Sequence, residues 1–239
     1  MTTLEQPGRR SDDAVPGFWW RVLSPPGAVV AALAVLIAMA GALSVADLST
    51  DTLGAILTFV TSLLLLLFAL LLWRGLPPQN RRAAIAVKGP LRQAVAIGIG
   101  VGLLLVAGAA VILLTGSAID PVVERRLNDV EDIGTVPWQV VLTVIALIVL
   151  APLGEELLFR GLLLRGLARR LDFWPSALIS SAIFAGAHAD SYILWPRALA
   201  LFGTGLALAW IYRRRGYWAS VSAHATVNTI AAIALVASS

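Results

Sequence analysis

The chain has 239 residues, of which 59% are hydrophobic and only 13% are charged, and it contains no cysteine. An average soluble domain is about a quarter charged, so the composition excludes a soluble domain, and the lack of cysteine excludes disulfides and a thiol nucleophile. The formal net charge of +4 does not indicate a nucleic-acid partner, because the basic residues lie in short segments between apolar runs, as membrane topology requires.

Seven uncharged runs lie along the chain, at residues 22–46, 52–73, 93–119, 133–154, 173–189, 198–212 and 216–239. A membrane-spanning helix needs roughly 20 mostly apolar residues, and all but the fifth and sixth runs reach this length comfortably. The pattern predicts an all-α fold, a polytopic transmembrane helical bundle with about seven, or eight, membrane helices. It also predicts the lipid bilayer as a partner.

Basic residues are distributed unevenly between alternate loops. When the N-terminus is placed inside, the inside segments hold 15 of the 18 lysines and arginines, as the positive-inside rule describes. This predicts seven crossings, a cytoplasmic N-terminus and a C-terminus outside. Because the composition, rich in Ala, Leu and Arg, is typical of a GC-rich bacterial genome, we expect the chain in a bacterial cell membrane.

The predicted organisation has three parts. Residues 1–21 are polar and predict a disordered cytoplasmic tail. Residues 22–136 predict N-terminal scaffold helices, with the first two spans near 27–46 and 53–73. Residues 137–239 hold the polar side chains that chemistry needs, and they are predicted to form the catalytic helices.

The third and fourth spans carry local signals. The third, near 93–115, contains four glycines that predict close contact with neighbouring helices, namely Gly98, Gly100, Gly102 and Gly108. The acidic outer loop at 116–136 is followed by Pro137, which suits the first turn of the fourth helix.

Two adjacent glutamates stand near the inner end of the fourth run, in VLAPLGEELLFRG at 149–161. Glu156 and Arg160 are four residues apart with the acid first, which favours an ion pair that orients the site. Glu155 is turned by about 100° from Glu156 and is left to face the bundle interior. Pro152 removes a backbone donor, so we expect the helix to kink or loosen just before the acids. A solvated structural pair at a helix end is the alternative.

The two histidines of the chain lie in otherwise uncharged runs, His188 in FAGAH and His224 in HATVN, and Asn228 follows His224 on the same helical face. Ionisable residues at membrane depth mark function by default, whereas Phe184 in FAGAH is expected to be core packing. A 15-residue sixth helix reaches only about 22 Å. We therefore expect the segment at 189–195 to dip inward and bring His188 to mid-depth.

Carboxylates, imidazoles and an amide together suit a hydrolytic site. His188 and His224 could ligate zinc, and Glu155 could take the proton of a water molecule. Asn228 could bind the metal or stabilise an oxyanion. The same residues leave open a proton- or ion-coupled transporter that uses them as a relay.

Three motifs follow each other in the second half: E-E-x-x-x-R in GEELLFRG, F-x-x-x-H in FAGAH and H-x-x-x-N in HATVN. In this order they resemble the CPBP family of intramembrane metalloproteases. That family includes the type II CAAX prenyl endopeptidases and bacteriocin-processing or self-immunity proteins with an Abi domain. The resemblance covers roughly residues 137–232 and implies a membrane helix bundle that hydrolyses peptide bonds of membrane-associated peptides or proteins.

The resemblance also implies roles for individual residues. It implies that the catalytic set is Glu155, His188, His224 and Asn228. It also implies that Glu156 and Arg160 support this set. The first four would hold a divalent metal, expected to be zinc, although no HExxH motif is present and direct activation of water by glutamate and histidine is the other option. The alternative function is a non-proteolytic membrane partner or a bacteriocin self-immunity scaffold.

Overall fold

A computed structural model describes residues 23–24, 27–28, 30–31, 34, 48–128, 136–188 and 195–238. The predicted tail at 1–21 lies outside these residues, as do most of the predicted first span and the segment at 189–194. From residue 48 onward the described part contains eight helices: α1 (Thr50–Arg74), α2 (Pro78–Ala84), α3 (Leu91–Ile119), α4 (Pro121–Asn128), α5 (Pro137–Leu167), α6 (Phe173–Gly186), α7 (Trp195–Arg215) and α8 (Tyr217–Ser238).

Three of these helices are long and apolar enough to cross a membrane: α1, α3 and α5, with 25, 29 and 31 residues. Large side chains on α3 face outward, and Leu104 and Leu114 are 73% and 68% exposed. Such an apolar surface suits contact with lipid and not with water. The protein is therefore a helical membrane protein, and seven crossings remain a prediction because most of the first span lies outside the described residues.

The lengths of α6 and α7 test the prediction of two short helices, while the predicted depth of His188 stays a prediction. Helix α6 has 14 residues and is short, as predicted. Helix α7 has 21 residues, about 31 Å, so the expectation of a short sixth helix is wrong. The helix is longer than its uncharged run because it also includes the residues at Trp195 and the arginines that end at Arg215.

Helix α5 changes its winding twice, with π-helical stretches at Ala146–Leu150 and Leu157–Leu164. At the end of the first stretch the Ala151 N–H bonds the carbonyl five residues back. Pro152 follows and has no N–H to bond the next carbonyl of that pattern, which belongs to Leu147. The predicted loosening just before the acids is confirmed, and it takes the form of a π-helical turn, a feature frequent at functional sites.

Helix α3 packs along α8 through two of its glycines. A Cβ atom on Gly102 would lie 2.6 Å from the Ala223 carbonyl oxygen, and one on Gly98 would also meet the backbone of α8. A Cβ atom on Gly100 or Gly108 would meet nothing within 4 Å. The expected role in close packing therefore holds for Gly98 and Gly102 only.

The turn between α7 and α8 is fastened to the loop that precedes α3. Gly216 has φ +89°, a left-handed conformation that favours glycine, and it forms a backbone bridge with Val87. The Tyr217 N–H donates to the Ala86 carbonyl at 3.0 Å. The Tyr217 hydroxyl donates to the Leu153 carbonyl at 2.8 Å. These bonds fix the start of α8 against the segment of α5 that carries the glutamates.

Candidate active site

Polar groups from three helices converge beside the two glutamates of α5, and they are packed against the apolar core. Helix α5 supplies the two acids and an arginine, which are Glu155, Glu156 and Arg160. Helix α7 supplies the Gly205 carbonyl, and α8 supplies Ser220, His224 and Asn228. Helix α6 supplies the ring of Phe184 and is followed by His188. Leu158 and Leu163 belong to the core around them, each with 0% exposure. The fold thus brings the three sequence motifs together.

The pair formed by Glu156 and Arg160 is completely buried, with 0% exposure of both side chains and 2.8 Å between Nη1 and Oε1. Arg160 also donates from Nη2 to the Gly205 carbonyl at 3.1 Å. Its guanidinium lies 4.5 Å from the centre of the Phe184 ring, within the range of a cation–π contact. The predicted pairing is confirmed, and the alternative of a solvated pair is wrong.

The Glu156 carboxylate is held by three donors. Arg160 and the Nδ1 of His224 both bond Oε1, at 2.8 Å and 2.9 Å. The Ser220 hydroxyl donates to Oε2. Because both oxygens are already engaged, Glu156 is suited to hold its partners in place and poorly placed to accept a further proton from a substrate or water.

Glu155 has the opposite environment, although it is the adjacent residue. Its Oε2 is buried and has no hydrogen-bond partner, while its side chain as a whole is 13% exposed. The Nε2 atom of His224 lies 3.9 Å from Oε2. That distance is too long for a direct hydrogen bond, so Glu155 is free to act on another group. The predicted inward orientation of Glu155 is confirmed.

The hydrogen bonds of the two histidines define their tautomers. A carboxylate or a carbonyl can only accept, so the proton of His224 lies on Nδ1, towards Glu156 at 2.9 Å, and that of His188 lies on Nδ1, towards the Phe184 carbonyl at 2.8 Å. In both rings Nε2 is then the nitrogen that is not held by this oxygen. A metal-binding or proton-accepting histidine commonly has this arrangement, with its other nitrogen fixed by an oxygen.

Phe184 joins the two histidines. Its ring centre lies 4.9 Å from that of His188 and 5.9 Å from that of His224, and its side chain is 1% exposed. The prediction that Phe184 is a core residue is confirmed, and the same ring also contacts Arg160. His188, which follows α6, and His224 of α8 thus both contact the same ring.

Asn228 reaches the loosened part of α5. Its Nδ2 donates to the Leu147 carbonyl at 2.8 Å, the carbonyl that Pro152 cannot bond in the π-helical pattern. One N–H and the Oδ1 of the amide remain for other partners. Asn228 is therefore a link between α8 and α5, one helical turn after His224 and at the break that Pro152 makes.

Two members of the network were not predicted from sequence: the Ser220 hydroxyl and the Gly205 carbonyl. Ser220 stands four residues before His224, as Asn228 stands four after it, so the three share one face of α8. That spacing could have identified the serine. No sequence signal indicates the carbonyl of Gly205, because any residue has one, and its selection depends on how α7 packs.

The predicted metal ligands are only partly assembled. Among the described residues no group of three or more histidine, aspartate, glutamate or cysteine side chains is arranged to hold a metal ion. Glu155 and His224 face each other with 3.9 Å between Oε2 and Nε2, while His188 contacts the Phe184 ring. The donor set that the structure brings together does not match the expected four-ligand zinc site.

The part of the chain that carries the site is similar to known proteins. Residues 137–230 match the sequence model of a family described as Rce1-like, type II CAAX prenyl endopeptidase. No solved structure matches the chain. The matched segment begins at the first residue of α5 and includes all the residues of the site.

Two curated proteins are similar over parts of their length. One is the "Putative membrane peptidase YdiL" of Bacillus subtilis (strain 168), 31% identical over 111 residues, 46% of this chain and 43% of that protein. The other is an "Uncharacterized 24.3 kDa protein" of Escherichia coli, 43% identical over 53 residues, 21% of this chain and 24% of that protein. The chain thus spans less than half the length of either relative. Together with the motifs and the helical fold, these matches support a likeness of residues 137–230 to the Rce1-like CAAX prenyl endopeptidase family.

Proposed function

We propose that the protein is an intramembrane endopeptidase that hydrolyses peptide bonds of membrane-associated peptides or proteins, with Glu155 as the base. The observation that carries the proposal is the contrast between two adjacent carboxylates. Glu156 is saturated by three donors, whereas the buried Oε2 of Glu155 has no partner and lies 3.9 Å from His224 Nε2. A buried acceptor without a partner is costly, so its retention favours a role in binding or chemistry.

The proposed reaction uses a water molecule that bridges these two acceptors. The 3.9 Å between Glu155 Oε2 and His224 Nε2 is compatible with one water oxygen about 2.8 Å from each atom. Such a water would donate one hydrogen to Glu155 and the other to His224, and its lone pairs would point away from both. It is then oriented to attack a carbonyl carbon.

The proposed reaction has two proton transfers. Glu155 takes a proton as the water oxygen bonds to the carbonyl carbon, and the carbonyl oxygen becomes an oxyanion. When the C–N bond breaks, the protonated Glu155 returns that proton to the leaving nitrogen. Asn228 and His188 are the candidates to stabilise the oxyanion, Asn228 through the N–H that Leu147 does not use and His188 when it is protonated.

Glu156, Arg160 and Ser220 hold His224 in position towards Glu155. Glu156 holds His224 by its Nδ1, so Nε2 faces Glu155, and Arg160 neutralises the charge of Glu156. Ser220 fixes the second oxygen of the same carboxylate. A divalent metal held by Glu155, His188 and His224 would supply a Lewis acid. Because the donor set does not fit such a site, the steps above use none, and metal analysis of the purified protein is the measurement that decides it.

The environment of the substrate follows from the membrane. We propose that the protein lies in a bacterial cell membrane with its N-terminus in the cytoplasm, as the distribution of arginines predicts. The glutamates of α5 then face the cytoplasmic half of the bilayer. A substrate peptide would be anchored on or near the cytoplasmic leaflet.

Mapping of peptide termini tests the proposal even while the substrate is unidentified. The wild type, Glu155→Gln and the control Glu124→Gln, on the exposed part of α4, are expressed in a bacterial host, and new peptide termini in the membrane fraction are mapped by mass spectrometry. We expect new termini with the wild type and with the control, and none with Glu155→Gln. The same termini in all three, or none in any, would count against the proposal and, in the second case, favour a scaffold.

A further inference from the structure

A pocket separate from the glutamate site lies between α1, α2 and α5. Its volume is about 70 Å³, and its walls are formed by Ser24, Leu72, Leu76, Asn80, Gly161, Leu162, Arg165, Gly166 and Arg169. One water molecule needs only about 10–15 Å³ of such volume, so the pocket can hold a larger group. No residue of the candidate active site lines it.

One wall of the pocket is basic. Arg165 and Arg169 are four residues apart, at and beyond the end of α5, and therefore lie on the same side of the chain there. Asn80 of α2 adds an amide, and the described lining contains no acidic side chain. Guanidinium groups in such a pair are well suited to a phosphate group.

The other wall is apolar. Leu72 and Leu76, on and just after α1, and Leu162 of α5 line it. Beside Leu72, the outer surface of α1 carries Leu67 and Leu71, which are 46% and 62% exposed. A ligand with its head between the arginines can thus extend an apolar tail over leucines that belong to the membrane surface of the protein.

We propose that this pocket binds an anionic phospholipid, with the phosphate at Arg165 and Arg169 and an acyl chain along Leu72 and Leu76. Basic pockets between membrane helices on the cytoplasmic side bind lipid headgroups in this way, and the charge distribution of the chain places Arg165 and Arg169 on that side. The lipid site is independent of the proposed peptidase reaction.

The test measures the phospholipid that stays bound through purification. The full chain is purified in detergent from cells that contain phosphatidylglycerol, and the bound lipid is quantified by mass spectrometry. The variant Arg165→Gln/Arg169→Gln is compared with Arg74→Gln/Arg92→Gln, which removes two exposed arginines outside the pocket. Since each arginine contributes roughly fivefold to the affinity for an anionic lipid, we expect about 25-fold weaker binding in the first variant and about one lipid per chain in the second.

Two further arms make each outcome decisive. The single variant Arg169→Gln changes only an exposed side chain and should bind about fivefold more weakly, which tests the site even if the double variant misfolds. Excess inorganic phosphate should leave the lipid in place. Equal lipid in all variants would overturn the proposal, and displacement by inorganic phosphate would show a site for a free anion in place of a lipid.

Discussion

Helices α3 and α5 are both long and apolar, yet only 11% of the most apolar 18-residue stretch of α3 is buried, against 44% of the corresponding stretch of α5. Helix α3 exposes leucines and touches α8 through two glycines, whereas α5 is enclosed by other helices and carries the buried charges. The difference shows that hydropathy finds helices that enter a membrane but does not distinguish a lipid-facing helix from one that supports chemistry. The positions of a few polar and small residues make that distinction.

The largest difference in stability between variants of the two helices should appear when an arginine is removed from each. We predict that Arg160→Met lowers the free energy of unfolding by about 3–5 kcal/mol, because Glu156 would be left as an uncompensated buried charge. Arg92→Met on α3 is the control, since Arg92 is exposed and its loss should change stability by less than about 0.5 kcal/mol. Reversible unfolding in mixed detergent micelles measures both, and equal losses would contradict the distinction.

The second comparison concerns two serines on α8. Ser220 is fully buried and bonds Glu156, so Ser220→Ala should cost about 1.5–3 kcal/mol, the range for a hydrogen bond to a charged group. The Ser222 hydroxyl is only partly buried and bonds neutral backbone carbonyls, that of Trp218 in its own helix at 2.8 Å and that of Val95 in α3 at 3.3 Å. Ser222→Ala should therefore cost less, about 0.5–1.5 kcal/mol. Thermal unfolding of the two variants checks this, and a larger loss for Ser222→Ala would argue against a network centred on Glu156.

Glycine-to-alanine changes in α3 should have the smallest effect on stability, and the two positions should differ in its sign. At Gly102 the added methyl group would lie against Ala223 of α8, so Gly102→Ala should destabilise the protein by about 1–3 kcal/mol. At Gly100 the methyl group would meet nothing within 4 Å, and Gly100→Ala should be neutral or stabilising by up to about 1 kcal/mol through helix propensity. The same unfolding measurement applies, and two changes of the same sign would contradict the α3–α8 contact.

Local signals in the sequence predicted much of the site. The four-residue spacing of Glu156 and Arg160 predicted the ion pair. The missing N–H of Pro152 predicted the loosened helix. Both predictions hold because both effects act within one or two helical turns. The contacts of Glu156 with Ser220 and His224 span 64 and 68 residues, and no local pattern determines which side chain meets which. The length of α7 was missed because charged residues can extend a helix beyond its apolar run.

In the proposed mechanism the two adjacent glutamates have different roles, since Glu155 is the base and Glu156 holds its partners in place. Once a cleaved peptide is known, this division is tested by the turnover and thermal stability of Glu155→Gln and Glu156→Gln, purified side by side. We expect Glu155→Gln to keep wild-type stability and to lose about 10²–10⁴-fold in turnover, the typical share of a general base, whereas Glu156→Gln should lose stability as well. Turnover of Glu155→Gln within about threefold of the wild type, at equal stability, would show that Glu155 is not the base.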